Sequence, residues 1–244
     1  MLFFRKGEEW MKVPRGMSIQ FRLVRRLTSS VGGERRRGRL TMVTPEVLRE
    51  KDDEEMIGLY ERIVEDRGKT GAKGGFPVMN KDKSLVGPWN AMVASPTIGS
   101  LAERMGNFCR HRNACASDLY EIGILVVGAR WRSQFEWFAH EKLAKNAGVS
   151  EEAIRGIKES STPEEMNGIM SENQKAVYKY ATELHDTKRV SDTRHRDALK
   201  AVGSEQALID LVFTMGFYHQ ISMTLNAFDI PLPPGEKLPF EEGS

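Results

Sequence analysis

The stretch RWRSQFEWFAHEKLAKNAG, Arg130–Gly148, decides how the chain is to be read. Its spacing predicts a helix over about 132–147, stopped by Gly148 in the position after a helix end that favours positive φ. Drawn at about 100° per residue, Ser133, Glu136, His140, Leu143, Ala144 and Ala147 share one side, and Phe135, Phe138, Lys142 and Lys145 share the other. The small, apolar side therefore carries a carboxylate and an imidazole, while two phenylalanines stand among lysines. Glu136 and His140 are four residues apart, so their side chains meet on one face. Burying a carboxylate is costly unless it is paired, and a neighbouring imidazole can pair with it or share its proton. An inward-facing acid/base couple is the expectation.

Upstream, ASDLYEIGILVVGARW (Ala116–Trp131) is apolar on nearly all sides after a cap at Ser117 or Asp118, which predicts a buried helix. Glu121 lies on the same side of it as Ile124, Leu125 and Gly128, adding a second carboxylate to the interior. Helix signals recur on both flanks. Thr44 and Pro45 open a helix expected to reach about Asp66, and Ser95 and Pro96 open another to about Arg112. Thr162–Met166 spells a capping box that launches a helix toward His185 after a break. Ser191 and Ser204 cap two more, the first ending at Gly203. Arg67–Pro88, dense in Gly, Lys and Pro, reads as a loop before a short helix at Trp89–Ala94. Its GKTGAKGG lacks the GxxxxGK[ST] order of a phosphate loop and follows no buried strand. The tail from Asp229 is too rich in proline for helix. No segment alternates convincingly as a strand, so the fold is expected to be all-α: one helical bundle over 42–244 preceded by an extension over 1–41.

The extension is set apart by charge. Residues 1–41 hold eleven Lys or Arg against three Glu, a surplus of eight, whereas the chain as a whole carries only +2. An unordered basic extension is the plainest reading, ahead of a transit peptide, and nucleic-acid binding is not expected; Met17 and Met42 are further possible starts. The apolar run Ile122–Ala129 is far short of the roughly 18 residues of a membrane span. Cys109 and Cys115, six apart, match neither a CxxC redox pair nor a usual zinc spacing. Such sparse use suits a reducing compartment, and the cytoplasm is expected.

The block LYEIGILVVGARWRSQFEWFAHEKLAKNAGVSEEAI (Leu119–Ile154), supported by GPWNAMVASP (Gly87–Pro96) and MGFYHQISMTLNAFDIPLP (Met215–Pro233), resembles the carboxymuconolactone decarboxylase-like family, which shares the all-helical fold of the alkylhydroperoxidase AhpD. The resemblance spans about 44–234. In the peroxidase branch the corresponding helix bears a CxxC pair with a histidine inside it and another four residues after it. Those positions fall here on Ser133 and Glu136 for the cysteines and on Phe135 and His140 for the histidines, with the family's upstream glutamate at Glu121. Both thiols are replaced, which removes thiol exchange with a peroxide.

The decarboxylase branch needs no redox cysteine. By this resemblance a small carboxylated lactone or enolisable acid would lose carbon dioxide and be protonated. His140 would be the proton donor, Glu136 would orient and tune it, and Glu121 would complete the relay. Arg132 or Arg130 would hold the carboxylate, with Ser133, Trp131, Trp89 and Tyr218 lining the substrate pocket. A peroxidase-like oxidoreductase using Cys109 or Cys115 is the alternative, and a non-catalytic helical small-molecule-binding oligomer is a third. Glu121, Glu136, His140 and His219 would make an oxygen/nitrogen metal set only if they converged, and neither metal nor cofactor is expected. Family members resemble trimers or hexamers, and Phe135 and Phe138, read as outward-facing, would be covered by another subunit of a homo-oligomer or by another helix of the same chain.

Overall fold

Ser117–Trp131 forms a helix with scarcely a polar face, and the other helices are laid around it. The computed structural model describes residues 38–74 and 77–241, with side chains over 38–67 and 77–241, together with the backbone of 3–6 and 9–12. The helices are α1 (Pro45–Lys51), α2 (Glu54–Gly74), α3 (Pro88–Ala94), α4 (Pro96–His111), α5 (Ser117–Trp131), α6 (Gln134–Asn146), α7 (Glu151–Lys158), α8 (Glu172–Thr187), α9 (Asp192–Val202) and α10 (Glu205–Ala227). Helix α5 packs against α6, α7, α8 and α10, which explains why it tolerates no polar side. The described part of 36–244 is thus an all-α body whose one extended contact is the isolated bridge between Met79 and Leu85.

The N-terminal unit, Met1–Arg35, contains two short antiparallel strands, β1 (Phe3–Lys6) and β2 (Glu9–Lys12). The expectation of an unordered arm over 1–41 otherwise falls, up to residue 37, outside the described residues. Arg39 belongs to the helical body: its backbone N–H donates to the Phe228 carbonyl and its guanidinium to that of Ala227.

Local chemistry sets most helix starts. Ser150, Ser171, Ser191 and Ser204 each accept a hydrogen bond from the backbone N–H three residues on, and at Ser171 the Gln174 side chain returns the bond. Three segments depart from the sequence reading. The helix opened at Thr44 breaks at Asp52, which is left-handed (φ 48°), and restarts because the Asp53 carboxylate accepts from Met56 N–H at 3.0 Å. Helix α2 then runs on through Gly74, past the point where a loop was expected at Arg67. A glycine costs a helix only about 1 kcal/mol, which a long preceding run can absorb. Conversely, Thr162–Met166 closes its capping box through Thr162 and Glu165, yet continues as turns, with Gly168 at φ 78°, until Ser171 starts α8.

Candidate active site

Helices α5 and α6 are joined by a tight turn: Arg132 adopts φ 47° and Ser133 is the N-cap of α6. The two helices therefore fold back on each other and bring Glu121 opposite His140. His140 Nδ1 lies 2.8 Å from Glu121 Oε2, and its Nε2 lies 3.4 Å from Glu136 Oε2. All three side chains are buried. The imidazole is thus held between two carboxylates, with Nδ1–H donating to Glu121 and Nε2 turned to Glu136.

Glu136 has been withheld from a local role that its sequence offers. Ser133-x-x-Glu136 spells a capping box, but Ser133 makes no side-chain cap bond. Both Ser133 Oγ and Glu136 Oε2 are buried without a hydrogen-bond partner. The carboxyl faces instead a cavity of about 80 Å³ that Glu136 and His140 line together with Trp89, Arg110, Phe217 and Tyr218. Burial, reinforced by Glu121, raises the Glu136 pKa to about 7. His140 is raised above its ordinary value because the Glu121 charge and hydrogen bond, with Glu136, outweigh the opposing effect of burial. The two groups, 3.4 Å apart, are charge-coupled, the Glu136 charge favouring a protonated His140 and a charged His140 favouring an ionised Glu136. Tyr218 packs edge-on to His140, ring centroids 4.6 Å apart, and burial pushes its phenol well above the ordinary range, so it stays neutral.

Of the residues picked out from the sequence, Glu121, Glu136, His140 and Tyr218 come together, and Trp89 joins them on the cavity wall. Ser133, Trp131 and Arg132 do not line that cavity. Trp131 donates its indole N–H to His219 at 2.6 Å. Arg132 donates to the Glu241 carbonyl and lies over the Phe240 ring, while Arg130 pairs with Asp186 at 2.7 Å. His219 is turned to Trp131 and His185, away from Glu121, Glu136 and His140. Among the described residues no group of three or more His, Cys, Asp or Glu is arranged to hold a metal ion.

The outward reading of Phe135 and Phe138 is overturned: they are only 3% and 6% exposed. Phe135 packs beneath Gly87, whose φ of 65° and lack of a side chain both matter, since a Cβ there would meet the Phe135 ring at 2.4 Å. Lys142 lays its ammonium 4.1 Å from the Phe138 ring centroid, so this lysine covers the aromatic within one chain. Helix α6 is consequently buried on more than one side.

Arg110, on α4, escaped the sequence reading. It sits in a helical stretch with Arg104 and Arg112, where nothing in one sequence separates an inward arginine from solvated ones. Its Nε and Nη2 are buried without a hydrogen-bond partner, and burial lowers its pKa against the opposing effects of Tyr218 and Glu136. Glu103, two turns earlier on the same face of α4, also reaches the cavity wall.

No family model matches the sequence, and no curated protein matches it. Among solved structures it is similar to an alkylhydroperoxidase AhpD core, an uncharacterized peroxidase-related protein from Ralstonia eutropha JMP134, with a TM-score of 0.62 and 9% identity over 82% of this chain and 95% of that one. It is likewise similar to an uncharacterized peroxidase-related protein from Silicibacter sp. TM1040, with a TM-score of 0.58 and 11% identity over 83% and 95% of the two chains. The chain therefore has the AhpD-like all-α fold.

Proposed function

We propose that this chain is a carboxymuconolactone decarboxylase-like enzyme that acts by proton transfer on a small carboxylated lactone or enolisable acid. The observation that carries this reading is Glu136, turned from its cap position into a cavity with its proton titrating near neutrality. In the proposed step the bond between the substrate carbon and its carboxylate breaks, carbon dioxide leaves, and the electron pair stays on an enolate. Glu136 then delivers its proton to that carbon. His140, as the imidazolium, passes a replacement from Nε2–H, having taken that proton from solvent, while Glu121 accepts from Nδ1–H and so favours the charged ring and holds its orientation. This reading exchanges two roles expected from the sequence, giving delivery of the proton to Glu136 and orientation of the imidazole to Glu121, although His140 lines the cavity as well.

Thiol-dependent peroxide reduction is the weaker reading. Cys109 and Cys115 are free and buried, and burial pushes Cys115 up to about 12 and Cys109 above its ordinary value, which removes the thiolate such chemistry uses. Two free buried thiols also favour a reducing, cytoplasmic setting. Among the described residues no helix is long and apolar enough to cross a membrane. Self-association, with Phe135 and Phe138 already covered, is assigned in this reading to the exposed Ile98, Leu101 and Phe213 of α4 and α10.

The test is carbon dioxide release from a panel of carboxylated lactones and β-keto acids by wild type, Glu136→Gln and His140→Gln, each checked for folding by circular dichroism. Release by wild type that is lost in both folded variants supports the reading. Full release by Glu136→Gln, or none from any substrate by wild type, defeats it.

A further inference from the structure

Burying an arginine is costly, and the cost is normally offset by a carboxylate or by hydrogen bonds to all its donors. Arg110 departs from this. Its Nε and Nη2 are enclosed and without partners, and it forms no ion pair among those found between described residues. These two nitrogens are the parallel donors along one edge of the guanidinium plane, the edge whose spacing matches the two oxygens of a carboxylate. They belong to a residue that lines the same cavity as Glu136, whose Oε2 is likewise enclosed and without a hydrogen bond, 3.4 Å from His140 Nε2. The cavity thus sets the open edge of the Arg110 guanidinium beside the Glu136 carboxyl, with Arg67 and Glu103 also on its wall. A fixed second anion there would repel a charged Glu136.

Resting on the reading of this cavity as a substrate site, we infer that Arg110 is its carboxylate anchor, that its Nε–Nη2 edge takes both oxygens of the substrate carboxylate, and that seating this anion brings a proton onto Glu136. Binding and proton loading are then one event. The substrate's own charge arms the acid that will protonate it, and a neutral analogue, lacking that charge, leaves Glu136 as it was. Arg110 positions the substrate and raises the proton occupancy of its neighbour, while His140 and Glu121 resupply it.

The experiment is calorimetric titration of butyrate and benzoate, beside butyramide and benzamide, into the full chain at pH 7.5 in two buffers of different ionisation enthalpy. The acids bind at least tenfold more tightly than the amides, with uptake of a fraction of a proton seen as a buffer-dependent heat. Arg110→Gln weakens acid binding at least tenfold and leaves amide binding unchanged, and Arg110→Lys falls between, since an ammonium keeps the charge but loses the fork. Glu136→Gln keeps acid binding and abolishes the buffer dependence. Without ligand, Arg110→Gln melts no lower than wild type, because it removes a buried charge whose Nε and Nη2 the chain leaves without hydrogen bonds. Equal affinity for acid and amide, acid binding unaffected in Arg110→Gln, or a marked fall in its melting temperature overturns the inference. Arg110-dependent acid binding without turnover of any substrate would defeat the proposed decarboxylation and leave the anchor standing. Turnover with an unchanged KM in Arg110→Gln would do the reverse.

Discussion

The indole N–H of Trp131 donates to Nδ1 of His219 across 2.6 Å, and this one bond fixes the protonation of two histidines. With Nδ1 occupied as acceptor, neutral His219 carries its proton on Nε2, which lies 2.6 Å from Nε2 of His185. His185 must accept there, so its own proton is on Nδ1, 2.6 Å from the Ala181 carbonyl. The ring planes are within 13° of each other, and the chain of bonds is complete only when both rings are neutral.

Acid pH should therefore loosen the junction of α5, α8 and α10. Burial lowers both histidine pKa values, aided by His185 and Lys188 at His219 and by Arg130 and Lys188 at His185, with the Ala181 carbonyl bond and then Asp186 opposing at His185. Because the folded values lie below the unfolded one of about 6.5, the unfolded chain binds more protons. Stability from this pair is present above that pH and is lost as pH falls through it. His140 and Glu136, both raised, act in the opposite sense, so the comparison is between wild type and His219→Gln. Thermal melts at pH 7.5 and 5.5 should show a drop of a few degrees more in wild type than in the variant. Equal drops would remove the histidine chain from the explanation.

Replacing Glu121 should change the acidity of the site without touching the cavity wall. Its charge raises both His140 and Glu136, so Glu121→Gln lowers both. The pH profile of kcat/KM for carbon dioxide release should move its alkaline limb to lower pH, and kcat should fall about tenfold or more. A fall in rate with an unmoved profile would assign Glu121 a purely structural part.

Ser133→Ala should be nearly silent in stability. A serine cap that makes its bond contributes about 1 kcal/mol, whereas Ser133 makes none and its hydroxyl is buried unpartnered. Urea unfolding should give a midpoint within error of wild type, and Ser150→Ala, which breaks a bond actually made to Ala153, should lose about 1 kcal/mol. A large loss in Ser133→Ala would mean that the capping box is closed in solution.

Phe213→Glu tests the exposed face of α4 and α10. Phe213 and Leu101 are each 58% exposed and line one apolar groove with Ile98. Light scattering after gel filtration should give a multiple of the 27.6 kDa chain mass for wild type and a smaller multiple for the variant. A monomeric wild type would withdraw the assignment of self-association.

The helices were legible because their starts and stops are chemical: Ser191 and Ser204 cap, Gly148 and Gly203 end, and α5 announces its burial by lacking a polar side. The Glu121, Glu136 and His140 cluster was legible for the same reason, since charged groups on apolar faces must find one another. Arg110 was not, because α4 mixes exposed and inward arginines and only packing separates them. Phe135 and Phe138 misled because a helix wheel divides neighbours into two sides, whereas α6 is covered on more than one side by Gly87, by its own lysine and by the core.

Helix α5 is enclosed by four others and carries Glu121, so part of the proposed machinery rides on the element that the folded body can least do without. Enzymes that build their sites on surface loops can acquire new chemistry by lengthening or reshaping those loops at little cost to the scaffold. Here the proposed acid/base cluster stands on packed helices, and innovation falls to exchanging single side chains within them. A lineage using this architecture would diversify by point replacement at positions such as 110, 133 and 136, with its helices left in register.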